Sequence, residues 1–122
     1  MPKLPDIWRV NVTRAADADI EEIHRWTEDR FGPAQGDAYA TAIASAIKAL
    51  AAGPRVRGGR RRGDIRPGLY TLHLSRRRAR HFILFRVTDP DGRRLDVLRM
   101  LHDAMDLVRH LPSDLSDEEE TS

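Results

Sequence analysis

The sequence of 122 residues contains no cysteine. A disulfide framework, a thiolate metal site and a cysteine nucleophile are therefore excluded. No stretch approaches the ~18 consecutive apolar residues of a membrane-spanning helix, and the N-terminal segment MPKLPDIWRV lacks the apolar core of a signal peptide. We therefore expect a cytoplasmic protein that does not associate with membranes and that uses no metal or other cofactor.

The basic charge of the chain is concentrated in its middle. The formal net charge is only +2, but residues 55–99 carry fourteen cationic and four acidic side chains, and all fourteen cations are arginine. Residues 100–122 carry one basic and seven acidic side chains. Because arginine forms planar, forked contacts with phosphates and carboxylates, the middle segment predicts an anionic partner. The alternative is a set of solvated loop charges without a partner.

The first half of the chain reads as one strand followed by a helix. Residues 7–12 alternate between apolar and polar, which predicts a half-buried strand. Thr13 offers an N-cap oxygen, and the apolar residues that follow recur at helical spacing. This predicted apolar face contains Ala16, Ile20, Ile23, Thr27 and Phe31. We assign His24 and Trp26 to packing.

A second helix and three further strands complete the predicted domain. Gly32 and Pro33 separate the two helices, and the second helix carries an apolar stripe that ends before Gly53. The stripe contains Tyr39, Ile43, Ile47 and Leu50. Alternation then predicts a strand over 70–74, and a nearly continuous apolar run predicts a central strand over 81–87. After a turn at 89–92, a last strand is predicted over 95–101.

These elements predict an α+β fold with the order β-α-α-β-β-β. The helices form an antiparallel hairpin on one face of a small, mainly antiparallel sheet, because neither layer buries its apolar side alone. The other face is expected to be open and to carry cations. A short C-terminal helix completes a single domain over residues 1–111, and we expect the acidic tail, residues 112–122, to be disordered.

Four stretches of sequence in this order resemble a known family. They are ADADIEEIHRWTEDRFGPAQGDAYATAI, IRPGLYTL, RHFILFRV and VLRMLHDAMDLVRHL. Together they resemble the RelE/ParE superfamily of type II toxin–antitoxin toxins over roughly residues 8–111, and most closely its ParE branch. The resemblance implies a toxin that is neutralised by a ParD-like antitoxin, whose acidic segment folds on binding. It also implies that operator DNA is bound only through the antitoxin.

The two branches imply different activities. ParE-like toxins inhibit DNA gyrase and hence replication, by binding, whereas RelE-like toxins are ribosome-dependent mRNA endoribonucleases. Phe82 stands about where the nuclease branch places a catalytic arginine, and no tyrosine follows Arg99, so the sequence favours gyrase inhibition. A metal-independent nuclease is the alternative, and its candidate groups are His73, His81, Arg86, Arg99 and His102.

The predicted binding residues are mostly arginines. For the target they are Arg76, Arg77, Arg78 and Arg99. For the antitoxin they are Arg55, Arg57, Arg60, Arg61, Arg62, Arg66 and Arg80, together with the outer faces of the helices. Arg99 lies in an apolar strand, so it must either point to the open face or be paired, because an unpaired buried charge costs several kcal/mol. For His102, a structural role at the strand end is favoured over proton transfer.

Overall fold

A computed structural model describes residues 7–74 and 81–102. The elements in chain order are β1 (Arg9–Val12), α1 (Arg14–Phe31), α2 (Pro33–Ala49), a 3-10 turn (Leu50–Ala52), β2 (Gly59–Arg61), β3 (Leu69–His73), β4 (His81–Asp89) and β5 (Arg94–His102). The predicted C-terminal helix and the acidic tail lie outside the described residues.

The helical hairpin forms as predicted. Thr13 caps α1, because its Oγ1 accepts a hydrogen bond from the Ala16 amide at 3.2 Å. Gly32 ends α1 with φ +93°, a conformation that suits glycine, and Pro33 opens α2. The helices approach closely at Gly36, where an added Cβ would lie 3.0 Å from the Cβ of Glu28. Glycine at this position therefore sets the distance between the two helices.

The sheet has the order β1-β5-β4-β3-β2. β1 is parallel to β5, and every other pair of neighbours is antiparallel. The α+β class, the mainly antiparallel sheet and the central position of β4 are thus confirmed. The number of strands was wrong: the structure has a fifth, β2. It contains only three residues, GRR, and so shows no apolar alternation.

The larger core lies between the hairpin and one face of the sheet. Ala16, Ile23, Ile43 and Leu50 of the helical half pack there against the strands, with Tyr39 and Ile47 partly buried at the margin. The sheet supplies Leu72, Leu74, Ile83, Phe85, Leu95, Val97 and Met100. The helices cover this face because their apolar stripes and the inward side chains of the strands are removed from water by packing against each other.

The opposite face also buries apolar side chains, which differs from the open face that we expected. This second cluster contains Leu69, Phe82, Leu84, Leu98 and Leu101, each no more than 5% exposed, and Ile65 packs against it. β4 contributes to both clusters through alternate residues, Phe82 and Leu84 on one side and Ile83 and Phe85 on the other. A strand buried on both faces reads as a continuous apolar run, as β4 does.

Candidate functional site

An aromatic and imidazole cluster lies at the end of the sheet where β4 begins and β5 ends. His81 and His102 are directly opposite each other, with ring centroids 5.3 Å apart and nearly perpendicular. Tyr39 reaches this pair from α2, and its Oη is 2.7 Å from His81 Nδ1. All three side chains are half-buried. His102 therefore lies at the end of β5, beside a histidine that is tied to the hairpin, and its structural role stays a prediction.

The remaining candidates for a nuclease lie elsewhere. The His73 ring lies against the Phe82 ring, with centroids 5.1 Å apart and the ring planes tilted by 31°. Alternation along β3 places His73 on the face opposite the larger core. Arg86 lies five residues along β4 from His81, or about 16 Å at the rise of a strand. Arg99 lies on β5, where its guanidinium is bound by Asp19 of α1. Of the five residues, the structure brings together only His81 and His102.

Arg99 forms a paired contact with Asp19 of α1. Its Nε and Nη2 donate to the two carboxylate oxygens at 2.7 and 3.0 Å, and the Met100 amide donates to Asp19 Oδ2 at 2.9 Å. The side chains of Arg99 and Asp19 are only 27% and 15% exposed. The hydrogen bond and the charge of Asp19 raise the pKa of Arg99, against the lowering effect of burial. The sequence predicted that Arg99 either points to an open sheet face or has a partner, and the structure shows a partner.

The chain path explains why this contact exists. β1 ends at Val12, so in the described part of the chain no strand pairs with β5 beyond Val97 on that side. The Thr13 amide and hydroxyl donate to the Val97 carbonyl at 3.1 and 2.9 Å, and the hydroxyl also lies 3.0 Å from the Leu98 carbonyl. Farther along β5, Asp19 accepts a hydrogen bond from the Met100 amide. We call the contact of Asp19 with Arg99 and Met100 the β5 clasp, because it satisfies an otherwise open strand edge.

Four arginines form an exposed surface at the other edge of the sheet. Arg55 and Arg57 lie in the turns before β2, and Arg60 and Arg61 lie on β2 itself. All four side chains are exposed. In residues 7–74 and 81–102, none of these four side chains makes a hydrogen bond or an ion pair. We call these four residues the β2 arginine surface.

Two other arginines of the predicted antitoxin set differ from these four. Arg62 pairs with Asp64 through two hydrogen bonds of 3.1 and 3.2 Å, and this pairing raises the pKa of Arg62 and lowers that of Asp64. Arg66 is half-buried. Arg76, Arg77, Arg78 and Arg80 lie outside the described residues.

An exposed aromatic pair lies at the end of α1. Trp26 and Phe31 are 48% and 61% exposed, and their rings meet edge to face at 6.1 Å. The Arg30 guanidinium lies over the Trp26 ring, 4.8 Å from its centroid. The predicted packing of Trp26 and the predicted burial of Phe31 were therefore wrong. The sequence signal for the exposure of Phe31 was its position, because Phe31 is the last residue of α1, where the chain turns toward α2.

Other kinds of site find no support in the described part of the chain. In residues 7–74 and 81–102, no group of three or more His, Cys, Asp or Glu side chains could hold a metal ion. Among the described helices, none is both long enough and apolar enough to span a membrane.

Comparisons with known proteins agree on one family. The family model described as "ParE toxin of type II toxin-antitoxin system, parDE" matches residues 10–107. Toxin ParE1 of Mycobacterium tuberculosis is 38% identical over 103 residues, covering 84% of this chain and 97% of that protein. Toxin ParE1 of Caulobacter vibrioides is 30% identical over 100 residues, covering 82% and 94%. A solved structure titled "Chromosomal ParDE TA system from P. aeruginosa" matches with a TM-score of 0.64 and 26% identity, covering 80% of this chain and 97% of that chain.

Proposed function

Because the chain belongs to the ParE family of type II toxins, we propose that it inhibits DNA gyrase by binding and that its cognate antitoxin blocks this binding. The observation that carries the proposal is the length of the likeness, which spans 97% of the mycobacterial Toxin ParE1. A match over 84% of this chain and 97% of that protein supports a shared mode of action. Inhibition by binding requires no catalytic group, and the proposal assigns none.

The positions of the nuclease candidates agree with this choice. General acid–base cleavage requires groups that reach one phosphate and its neighbouring hydroxyl together. His81 and His102 lie together, but His73 points to the other face, Arg86 is about 16 Å along β4, and Arg99 is held by Asp19. No observation in the described residues favours the nuclease as a second function.

The decisive experiment tests both activities on one preparation. The purified protein is added to a gyrase supercoiling assay and, in parallel, to ribosomes translating a defined mRNA. We expect loss of supercoiling with intact mRNA, and restoration of supercoiling when the antitoxin encoded beside the toxin is added. Cleaved mRNA with unaffected supercoiling would overturn the proposal.

The antitoxin needs apolar anchors as well as carboxylates. A segment that folds on binding gains most of its affinity from apolar side chains that enter pockets or cover exposed aromatics. Trp26 and Phe31 are the two largest exposed apolar side chains of the described residues, and they lie on the hairpin surface that the sequence assigned to the antitoxin. We therefore assign the anchors to this aromatic pair, while the arginine contacts stay a prediction.

Alanine substitution tests the anchor assignment. The double variant Trp26→Ala/Phe31→Ala should weaken antitoxin binding by at least tenfold, because loss of an aromatic anchor typically costs 1–2 kcal/mol or more. Its melting temperature should stay close to that of the wild type, since both rings are largely exposed. The matched control is Ile7→Ala/Val12→Ala, which removes two other exposed apolar side chains. Equal affinities for the two double variants, measured by isothermal titration, would contradict the assignment.

A further inference from the structure

The β2 arginine surface points to a second anionic partner. We propose that Arg55, Arg57, Arg60 and Arg61 bind the phosphates of duplex DNA while the toxin engages its target. This inference deepens the proposed function and rests on it, because gyrase works on duplex DNA and a toxin bound to gyrase lies close to that DNA. The DNA contact would be independent of sequence, since phosphates carry no base information.

The first argument is the absence of local counter-charge. Asp64 is the only acidic residue in the sequence between Asp37 and Asp89, and Arg62 already occupies it. By contrast, Arg99 is paired with Asp19 at the other side of the sheet. Within the described residues, the four arginine side chains therefore lie in solvent without a carboxylate partner, where a phosphate can reach each of them.

The second argument is the arrangement of the backbone. The turn closed by the Gly59 amide and the Val56 carbonyl at 2.9 Å, with Gly58 at φ +89°, leads the chain from Arg57 directly into β2. β2 is the edge strand of the sheet, so Arg60 and Arg61 lie at the sheet edge rather than between two strands. All four arginines lie within seven residues of sequence. The four residues therefore lie at one edge of the sheet, and alternation along β2 places the side chains of Arg60 and Arg61 on its two faces, so a duplex lying across this edge can contact both.

The third argument is that the surface lacks what other polyanions would use, which favours duplex DNA for these arginines. The exposed large apolar side chains of the described residues are Ile7, Val12, Trp26 and Phe31, and none belongs to residues 55–66. A peptide partner would find no apolar anchor there. Residues 55–66 also contain no aromatic side chain, so the bases of a single strand would have nothing on which to stack. Duplex phosphate is the anion that needs only forked cations.

Direct DNA binding tests the inference without gyrase. The full chain is titrated into a fluorescent duplex, and its affinity is measured at several salt concentrations by anisotropy. Four phosphate contacts predict a slope of about −3.6 in log affinity against log salt, or a loss of about 150-fold between 50 and 200 mM. The variant with Arg55, Arg57, Arg60 and Arg61 all changed to Gln should lose nearly all of this slope.

A charge-matched variant serves as the control. It carries Gln at Arg9, Arg14, Arg25 and Lys48, four other exposed cations, so its net charge changes by the same amount. We expect it to keep the wild-type slope and affinity within a few fold. Equal losses in the two variants would mean that only net charge matters and would overturn the inference. So would a wild type that binds an acidic peptide through these arginines but does not bind DNA.

Gyrase inhibition by the same three proteins separates the two proposals. If the variant at the β2 arginine surface loses DNA binding and needs a higher concentration to inhibit supercoiling, the inference is supported. If it loses DNA binding but inhibits as well as the wild type, the inference fails and the proposed function stands. A wild type that does not inhibit gyrase would overturn the proposed function itself.

Discussion

The β5 clasp should stabilise the fold by more than its surface position suggests. Asp19→Ala removes three acceptor contacts at once, two from the Arg99 guanidinium and one from the Met100 amide. Hydrogen bonds to a charged group contribute roughly 1.5–3 kcal/mol each when they are buried. Water replaces part of this, because the two side chains are 27% and 15% exposed. We therefore expect the free energy of unfolding to fall by about 2–3 kcal/mol. In a chain of this size each kcal/mol lowers the melting temperature by roughly 4 °C.

The partner variant should cost less. Arg99→Ala leaves Asp19 with the Met100 amide, so we expect a loss of about 1–2 kcal/mol. The double variant should cost less than the sum of the two single variants, with a coupling of about 1–2 kcal/mol in a thermodynamic cycle. Chemical denaturation at neutral pH measures all four free energies of unfolding. Additive losses would refute the clasp.

The pH dependence has a definite sign. The pKa of Arg99 is raised in the folded state, so the stability from its charge is present below the ordinary guanidinium pKa and is lost only as the pH rises through the folded value. The contribution of Arg99 should therefore be constant between pH 7 and pH 10. A change in the Arg99→Ala effect across that range would contradict the assigned ion pair.

The same variants decide whether Arg99 also contacts gyrase, as the sequence predicted. If Arg99 acts only through the clasp, Asp19→Ala and Arg99→Ala should reduce gyrase inhibition in proportion to their loss of folded protein. If Arg99→Ala abolishes inhibition by a protein that is still fully folded, while Asp19→Ala does not, Arg99 contacts the target directly.

Four further variants test other features of the chain. Gly53→Ala should lower the free energy of unfolding by about 2–4 kcal/mol, because the new Cβ would lie 2.7 Å from Trp8 Nε1 and the residue has φ +103°. Gly32→Ala should cost only about 1 kcal/mol of backbone strain, because Gly32 has φ +93° but nothing lies within 4 Å of the new Cβ. Tyr39→Phe removes the 2.7 Å hydrogen bond to the β4 histidine and should cost about 0.5–1.5 kcal/mol; an unchanged denaturation midpoint would show that the bond adds nothing. Deleting residues 113–122 removes five acidic side chains and should tighten DNA binding at low salt but not at about 0.5 M, where the Debye length is about 4 Å; tightening that persists at high salt would rule out a screening effect.

Most of the fold follows from local patterns that the sequence states clearly. The period of the apolar residues predicts both helices. Thr13 and Gly32 mark the ends of α1, and Gly53 ends the 3-10 turn that follows α2. The continuous apolar run of β4 predicts its central place. These features are predictable because each depends on neighbours within a few residues.

The features that escaped prediction depend on distant parts of the chain. β2 becomes a strand only because β3 pairs with it, and its three residues carry no pattern of their own. The second buried cluster requires that the outward side chains of three strands come together. The partner of Arg99 lies 80 residues earlier. The sequence limits this arginine to an open face or a partner, but it does not identify Asp19.

The parallel pairing of β1 with β5 sets the order in which a nascent toxin can fold. Thr13 and Val97, whose groups hydrogen-bond where β1 gives way to α1, are 84 residues apart. The helical hairpin can form during synthesis from local contacts, but the sheet cannot close before β5 leaves the ribosome. Until β5 is available, the new chain is therefore a helical hairpin with an incomplete sheet. An antitoxin already present in the cell can therefore bind the new chain before that chain is able to act on its target.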